Sequence, residues 1–301
     1  MSTNPRVPFM LSSARKPLAA PECGRLIVHV VVNIENWRFD HGMPRKLLPG
    51  PHGVETVPDI PNFSWAEYGM RCGMPRLFET LGRRGLPVTC AFNASVIDNY
   101  PDLADAVAEA GWEFMGHGMH QRALTADDGE AELLEAAIGK IADFTGKPVA
   151  GWLGPGLRQS ADTLDLLADN GIRYCCDWVL DDLPVWMKTH RGAMVGVPYS
   201  LEINDSVIYA VEKHRSSEMH DRLVETLTTY DAELERGPRI VTLGLHPHLI
   251  AVPHRFSWFE RMLDLLQQRS DTVFMTGSGI ADWFEAASDP AERDAAAAYT
   301  V

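Results

Sequence analysis

The stretch LIVHVVVNIEN at residues 26–36 decides the fold. It is an almost continuous apolar run rich in β-branched residues, which is typical of a strand buried on both faces in a parallel sheet. Glu35 and Asn36 stand at the end of this run. We therefore expect a strand that is buried on both faces and whose carboxyl end carries polar side chains.

Segments of the same kind alternate with helical segments along the rest of the chain. Further strands are predicted at 87–95, 112–118, 148–155, 173–178, 194–212 (two short ones), 239–246 and 272–277. Helices are predicted at 64–84, 101–110, 125–146, 161–170, 216–236, 256–268 and 279–287. This alternation predicts an α/β fold whose seven or eight mostly parallel strands close, or nearly close, into a barrel. An open doubly wound sheet is the alternative.

The chain divides into three parts by composition. Residues 1–24 are polar and contain prolines, so we interpret them as an N-terminal arm. Residues 25–288 show no internal shift in composition and are predicted to form a single barrel domain. Residues 289–301 are rich in alanine and acidic residues, and we expect a frayed tail. The loop at 37–63 is long for a compact domain, and such loops are often functional.

Composition restricts the class of function. The net charge of −14 over 301 residues argues against binding to nucleic acid or to an anionic membrane surface. The sequence has neither an apolar run of about 18 residues nor the apolar core of a signal peptide. The five cysteines are odd in number and form no CxxC pair, which favours a reducing, cytoplasmic compartment. Dinucleotide and nucleoside-triphosphate fingerprints are absent.

Polar side chains gather at the predicted carboxyl ends of the strands, where barrels of this class hold their active sites. We favour a functional role for Glu35, His117 and His246, because such groups are costly to bury unless they are paired or used. His120, three residues after His117, fits a functional or a solvent-facing role equally well. One of three aspartates is expected to reach the same rim: Asp177, Asp181 or Asp182.

Seven short segments follow one another along the chain in a characteristic order and spacing. They are VNIEN (32–36), EYGMRCG (67–73), GHGMHQ (116–121), GWLGPGLR (151–158), DWVLDDLPVW (177–186), VPYSLEIND (197–205) and LGLHPHL (243–249). Together they resemble the polysaccharide deacetylase superfamily of the NodB type, over residues 26–285. The resemblance is nearest to the branch of intracellular peptidoglycan-deacetylase-like proteins and cofactor-independent allantoinases. It implies that the barrel is distorted.

The resemblance implies a metal site, but the sequence departs from the family at two ligand positions. Asn36 stands where the family has a metal-binding Asp, and Gln121 stands where it has the second of two metal-binding histidines. Neutral amide oxygens bind divalent cations more weakly than carboxylates or imidazoles. His117 and His120 with Glu35 would form a replacement set. The implied cofactor is therefore one divalent cation, with zinc as first choice, or none.

The resemblance also implies roles for the remaining residues. Glu35 occupies the position of the family's general base, and His246 matches the histidine of the last motif, which we expect to be the general acid. His117 would orient water or polarise the carbonyl, with or without a metal. The family's third motif carries an arginine, whereas here Leu153-Gly154-Pro155 stands in its place. The expected substrate contacts are Asn36, Trp152, Arg158, Asp181 and Asn204.

These roles predict a hydrolase of non-peptide carbon–nitrogen bonds that removes an acyl group from an N-acetyl sugar or a similar small amide. One alternative is a metal-independent, ring-opening amidohydrolase of the allantoinase type. Another is a degenerate barrel with a binding role. The expected partners are the amide substrate and further copies of the chain in a homo-oligomer.

Overall fold

Nine β-strands form one sheet in the part of the chain that the computed structural model describes, residues 3–124 and 129–300. They are β1 (Leu26–Ile34), β2 (Thr89–Phe92), β3 (Glu113–Gly116), β4 (Gly151–Trp152), β5 (Tyr174–Cys175), β6 (Val185–Thr189), β7 (Gly192–Gly196), β8 (Arg239–Leu245) and β9 (Thr272–Phe274). The order is β6-β7-β5-β4-β3-β2-β1-β8, and β9 also pairs with β1. Only the β6–β7 pairing is antiparallel among these strands. The predicted distorted α/β barrel of mostly parallel strands is confirmed.

Helices cover the outside of the sheet, as crossover connections between parallel strands require. Among the described residues they are α1 (Ile60–Tyr68), α2 (Met74–Arg83), α3 (Val96–Asn99), α4 (Pro101–Glu109), α5 (Glu130–Thr145), α6 (Thr163–Asp169), α7 (Glu218–Glu233), α8 (Pro253–Gln268), α9 (Gly277–Ala287) and α10 (Pro290–Ala298). The seven predicted helical segments are found within a few residues of their expected bounds. Residues 125–128, at the start of one of them, lie outside the described part.

Strand β1 pairs with three other strands of the sheet, and all nine of its residues are buried. One edge pairs with β8 along Leu26–Val32. The other edge is shared, because β9 pairs with Leu26–Val28 and β2 pairs with Val31–Ile34. Each buried Val, Leu or Ile side chain contributes about 1.5–3 kcal/mol relative to exposure. The run at 26–34 thus pairs with three neighbouring strands. Glu35 lies directly after this strand, which is buried along its whole length.

The fork between β9 and β2 is closed by polar side chains. Glu113, at the start of β3, accepts hydrogen bonds from Thr89 Oγ1 (2.8 Å), Tyr174 OH (3.1 Å) and the backbone N–H of Ser278 (3.0 Å). Ser278 lies in the first turn of α9, where a carboxylate is stabilised by unpaired N–H groups and the helix dipole. Glu113 therefore ties β2, β5 and α9 together at the amino-terminal end of the barrel.

The ring of Tyr174 reaches Glu113 by packing directly on two glycines. A Cβ atom on Gly151 would lie 1.9 Å from Tyr174 Cζ, and one on Gly277 would lie 2.3 Å from Tyr174 OH. These two positions exclude every side chain because the buried ring occupies the space. Both glycines are therefore required for the closure of the fork.

The structure corrects one strand prediction. The segment VIYAVE, predicted as a strand within 194–212, forms a π-helical turn at Ser206–Val211, whereas β7 ends at Gly196. The side chain of Asn204 accepts a hydrogen bond from the N–H of Ser206 (2.9 Å) and so turns the chain. Local apolar content could not distinguish the two structures, because a short buried turn and a short buried strand have the same composition.

Both ends of the chain pack on the barrel. The arm is held by ion pairs of Arg6 with Asp165 (2.8 Å) and of Arg15 with Asp181 (3.0 Å). Helix α10 packs on β6 and β7 with Ala296 buried, so the expectation of a frayed tail is wrong for residues 290–298. The domain boundaries at 24/25 and 288/289 stay a prediction. In the described ranges no helix combines the length and apolarity needed to cross a membrane.

Candidate active site

Three predicted residues meet at the carboxyl end of the sheet. Glu35 follows β1, His117 follows β3 and His246 follows β8, and all three are buried. Oε1 of Glu35 lies 3.3 Å from Nε2 of His246 and 4.0 Å from Nε2 of His117. Strands β1 and β8 are neighbours, whereas β3 is two strands from β1, which explains the order of these distances. The strand ends thus place a carboxylate between two imidazoles.

His246 is held from behind by Asp205, a fully buried residue just before the turn at 206–211. Asp205 Oδ1 lies 2.6 Å from His246 Nδ1, and Oδ2 accepts the backbone N–H groups of His246 (2.7 Å) and Ile250 (3.1 Å). A carboxylate only accepts, so His246 Nδ1 carries a proton and Nε2 faces Glu35. Asp205 therefore fixes the orientation of the imidazole.

The opposite charges of Glu35 and His246 influence the protonation of both side chains. Burial lowers the pKa of His246, but the carboxylates of Asp205 and Glu35 outweigh burial and raise that pKa to about 9. Burial raises the pKa of Glu35, but the positive charges of His246 and Arg45 outweigh it and hold that pKa well below its usual range. At neutral pH the resting site therefore contains an ionised Glu35 and a protonated His246.

His117 presents its other nitrogen to the site. Its Nδ1 hydrogen-bonds the backbone carbonyl of Leu153, next to β4, and a carbonyl oxygen can only accept. Nδ1 therefore carries a proton, and Nε2 faces Glu35. Nε2 is buried and has no hydrogen-bond partner among the described residues. It is available to accept a proton or to orient a water molecule.

Two amide side chains hold Glu35 and the rim around it. Gln121 Nε2 donates to Glu35 Oε1 (2.7 Å), and Gln121 Oε1 accepts from Asn93 Nδ2 (3.4 Å). Asn36 Nδ2 donates to Ser95 Oγ (2.8 Å). The amides at the two changed family positions thus make hydrogen bonds within the protein.

The donor set does not fit the metal that the resemblance implied. Among residues 3–124 and 129–300, no three His, Cys, Asp or Glu side chains are arranged to hold an ion. His246 uses both ring nitrogens on Asp205 and Glu35, and the Gln121 oxygen faces Asn93. His117 Nε2 and Glu35 Oε2 alone do not make the three protein ligands of a catalytic zinc site. We therefore assign no catalytic step to a metal ion.

His120 is the predicted ligand that the structure does not bring to Glu35 and His117. Its partly buried imidazole lies in the electrostatic field of Arg38, Asp40 and His41 from the 37–63 loop. Burial, followed by the charge of Arg38, lowers the pKa of His120. The proposed set of Glu35, His117 and His120 is thus corrected, because His120 turns towards the loop.

The predicted substrate contacts have different positions. Trp152 is completely buried in the main apolar core, where it packs beside Gly116. Asn204 donates to Tyr199 OH (3.2 Å) beneath the site, next to Asp205. Arg158 is exposed and shows no ion pair within the described residues. Of the five, Asn36 is the residue next to Glu35 in the chain, and its side chain donates to Ser95.

Among the three aspartates, Asp177 lies nearest the site. It accepts the N–H of Gly154 (2.6 Å), the residue after the carbonyl that His117 contacts, and burial raises its pKa to about 6. Asp181 pairs with Arg15 and lines a cavity of about 520 Å³ between the arm, β6 and α10. Asp182 accepts from Tyr230 OH (2.9 Å). The choice of Asp181 as a substrate contact is therefore corrected, since its partners lie on the arm.

Comparison with known proteins finds a family match within the chain. Residues 63–175 match the polysaccharide deacetylase family. A Schizosaccharomyces pombe protein assigned by name to the polysaccharide deacetylases is 26% identical over 318 residues, which cover 92% of this chain and 96% of the relative. The protein contains a polysaccharide deacetylase domain of the NodB type. This confirms the family expected from the seven segments.

Two further proteins are similar to this deacetylase domain. A peptidoglycan deacetylase of Helicobacter pylori is 28% identical over 159 residues, or 52% of this chain and 53% of that protein. The crystal structure of Puue allantoinase has a TM-score of 0.81 at 24% identity and covers 91% of this chain and 95% of its own. The second likeness shows a shared fold.

Sequence reasoning missed two residues of the deacetylase domain's site, Asp205 and Arg45. Asp205 stands in the quoted segment VPYSLEIND, and a buried histidine at a strand end commonly needs a carboxylate partner. That requirement was the available signal. Arg45 lies in the long 37–63 loop, 3.8 Å from Glu35 Oε2, and no periodicity or motif marked it.

Proposed function

We propose that the protein is a hydrolase of non-peptide carbon–nitrogen bonds that removes the acyl group from an N-acetyl sugar or a similar small amide. One observation carries the proposal. An ionised Glu35 and a protonated His246 face each other at 3.3 Å, and Asp205 holds the imidazole. Such a pair has the base and the acid that amide hydrolysis requires, each in its active protonation state.

The first step is attack by water on the acyl carbon. Glu35 takes one proton from the water as its oxygen forms a bond to the carbon, and the electron pair of the carbonyl π bond moves to the carbonyl oxygen. His117 Nε2, which is buried and has no hydrogen-bond partner among the described residues, orients the water beside Glu35. The product of this step is a tetrahedral intermediate with one hydroxyl group and one negatively charged oxygen.

The second step breaks the carbon–nitrogen bond. The oxyanion re-forms the carbonyl, the bonding pair leaves with the nitrogen, and His246 Nε2 gives that nitrogen its proton. The products are an amine and a carboxylic acid. The proton held by Glu35 then returns to His246 across the short distance between them, which restores the starting state.

A ring-opening amidohydrolase is the second candidate, and the donor set of the site favours it. A cyclic ureide is opened by the same water attack and the same proton transfers, and the site assembles them from side chains alone. Puue allantoinase, which has the same fold, supports testing this substrate class. A binding role without turnover is the remaining alternative.

A substrate screen with a matched variant tests the proposal. Wild type and Glu35→Gln are incubated with N-acetylated sugars, allantoin, related ureides and formamides in the presence of EDTA, and free amine or ring opening is measured. We expect turnover of one class by the wild type and a loss of roughly 10²–10⁴-fold in Glu35→Gln. Equal activity of the two proteins would refute the assignment of the base. Turnover of none would favour the binding role.

We also propose a cytoplasmic location and assembly into a homo-oligomer. The support for assembly is the apolar Phe9-Met10-Leu11 segment of the arm, whose three side chains are all more than half exposed. Exposed apolar clusters of this kind are usually covered by a partner. Sedimentation of the purified protein measures the number of copies, and a monomer at all concentrations would contradict the proposal.

A further inference from the structure

We propose that Arg45 is the electrophile of the reaction: its guanidinium stabilises the negatively charged oxygen of the tetrahedral intermediate. This inference rests on the proposed acyl hydrolysis. It assigns a group to the stabilisation of the oxyanion, a task that neither the base nor the acid performs. Amide hydrolysis needs a base, an acid and a stabilised oxyanion. Glu35 and His246 supply the first two, and the donor set does not fit a metal that could supply the third.

Arg45 lies at the right place beside the base. Nη1 is 3.8 Å from Glu35 Oε2, on the side of the carboxylate away from His246, which faces Oε1. The guanidinium also lies over the ring of Trp37, at 5.8 Å. Its side chain is 24% exposed, so it forms the boundary between the buried site and solvent.

Most of the donor capacity of Arg45 is unused. The guanidinium has five N–H donors. Its one hydrogen bond within the described residues goes to Nε2 of His248 (3.4 Å), whose pKa burial lowers to about 3, so that this imidazole is neutral and accepts. Several donors therefore remain for an oxygen of the substrate, in the planar geometry that suits an anionic oxygen.

The loop that carries Arg45 is anchored on both sides of it. Met43 is buried in a small cluster with Trp37 and Ala66. Beyond Arg45, the buried side chain of Asn62 accepts the N–H groups of Leu47 (2.8 Å) and Leu48 (3.0 Å). Asp59 in turn fixes Asn62 through two contacts of 2.9 and 3.0 Å. The loop thus positions Arg45 before the substrate reacts, as electrostatic stabilisation of an intermediate requires.

The movement of charge during the reaction makes the contribution specific to the intermediate. In the resting site Arg45 faces the negative charge of Glu35. When Glu35 takes the proton from water it becomes neutral, and the negative charge appears on the carbonyl oxygen instead. Arg45 then exchanges a carboxylate 3.8 Å away, too far for a hydrogen bond, for an oxyanion to which it can donate directly, so its interaction is strengthened where the barrier is highest.

Binding of methylphosphonate, a tetrahedral anion that mimics the intermediate, tests the inference without any turnover. Because the base is neutral at this stage, Glu35→Gln is the reference protein, and affinity is measured by calorimetry. We expect it to bind methylphosphonate at least tenfold more tightly than the wild type does. Adding Arg45→Met should weaken binding at least tenfold, and Arg45→Lys should fall between.

Lys46→Met is the matched control, because the neighbouring Lys46 pairs with Glu55 at 2.7 Å and its loss should leave the affinity unchanged. Equal affinity with and without Arg45, or no binding by Glu35→Gln, would overturn the inference. With a substrate from the screen, Arg45→Met should lower kcat by roughly 10²–10³-fold. An effect on KM alone would also overturn it. A failed screen beside intact, Arg45-dependent binding would count against the proposed function and not against the anion site.

Discussion

Replacing Asp205 by asparagine should move the protonation of His246 into the physiological range. Asp205 makes three hydrogen bonds at 2.6–3.1 Å and is the largest of the effects that raise the pKa of His246 to about 9. In Asp205→Asn the burial remains and this charge is lost, so we expect a pKa at or below about 7. At pH 8 the protonated fraction falls from about nine-tenths to about one-tenth at most.

The consequence for catalysis follows from the role of His246 as the acid. Activity that needs its proton should fall roughly tenfold at pH 8, and the alkaline limb of the pH profile should move down by about two pH units. NMR titration of the histidine Cε1–H signals measures the pKa directly and needs no substrate. Asp177→Asn is the control, because Asp177 is a partly buried carboxylate that contacts Gly154 instead. If His246 still titrated near pH 9 in Asp205→Asn, the electrostatic account of the site would be refuted.

The same interaction contributes to stability with a definite sign. The folded pKa of His246 is raised from 6.5 to about 9, so its contribution is complete below about pH 6.5 and is lost as the pH rises through about 9. A shift of this size corresponds to about 3 kcal/mol. Urea unfolding should therefore separate wild type from Asp205→Asn more widely at pH 6 than at pH 10.

Two further predictions concern the closure of the fork beneath β1. Gly151→Ala places a Cβ 1.9 Å from the ring of Tyr174 and should destabilise the fold by about 3 kcal/mol or more, whereas Gly139→Ala, with open space inside α5, should stabilise it by about 0.5–1 kcal/mol. Equal melting temperatures for the two variants would contradict this account. Glu113→Gln removes the charge that accepts from Thr89, Tyr174 and Ser278 and should cost about 1–3 kcal/mol in urea unfolding. The exposed Glu109→Gln is its control, and a loss as large in that variant would show that the three contacts at Glu113 are not the cause.

The sequence allowed the barrel and the centre of the site to be predicted for one physical reason. Buried parallel strands require continuous apolar runs, as in β1 and β8, and the carboxyl ends of such strands lie on one rim. The sequence therefore predicts that Glu35, His117 and His246 lie on the same rim. Their separation of 3.3–4.0 Å is the direct result of the strand order.

The rest of the site could not be predicted, because it depends on connections whose paths follow no periodic pattern. Asp205 reaches His246 from the turn after β7, and Arg45 reaches Glu35 from a loop held by Asn62. Trp152, one of the expected substrate contacts, also ends a strand, but strand side chains alternate between faces, and its ring packs in the core. Position at a strand end thus identified the rim without identifying which side chains face it.

The pairing of β1 with β8 has a consequence for the synthesis of the chain. β1 leaves the ribosome early, and β2 can pair with part of one edge about 55 residues later, but the strand that covers the whole of the other edge, β8, begins at Arg239. At 5–20 residues per second, roughly 200 residues take about 10–40 s. During that time a nine-residue strand with seven apolar residues has an open hydrogen-bonding edge. The nascent chain is therefore most prone to aggregation between the appearance of residues 34 and 239, and a chaperone that binds extended apolar segments would act in that interval.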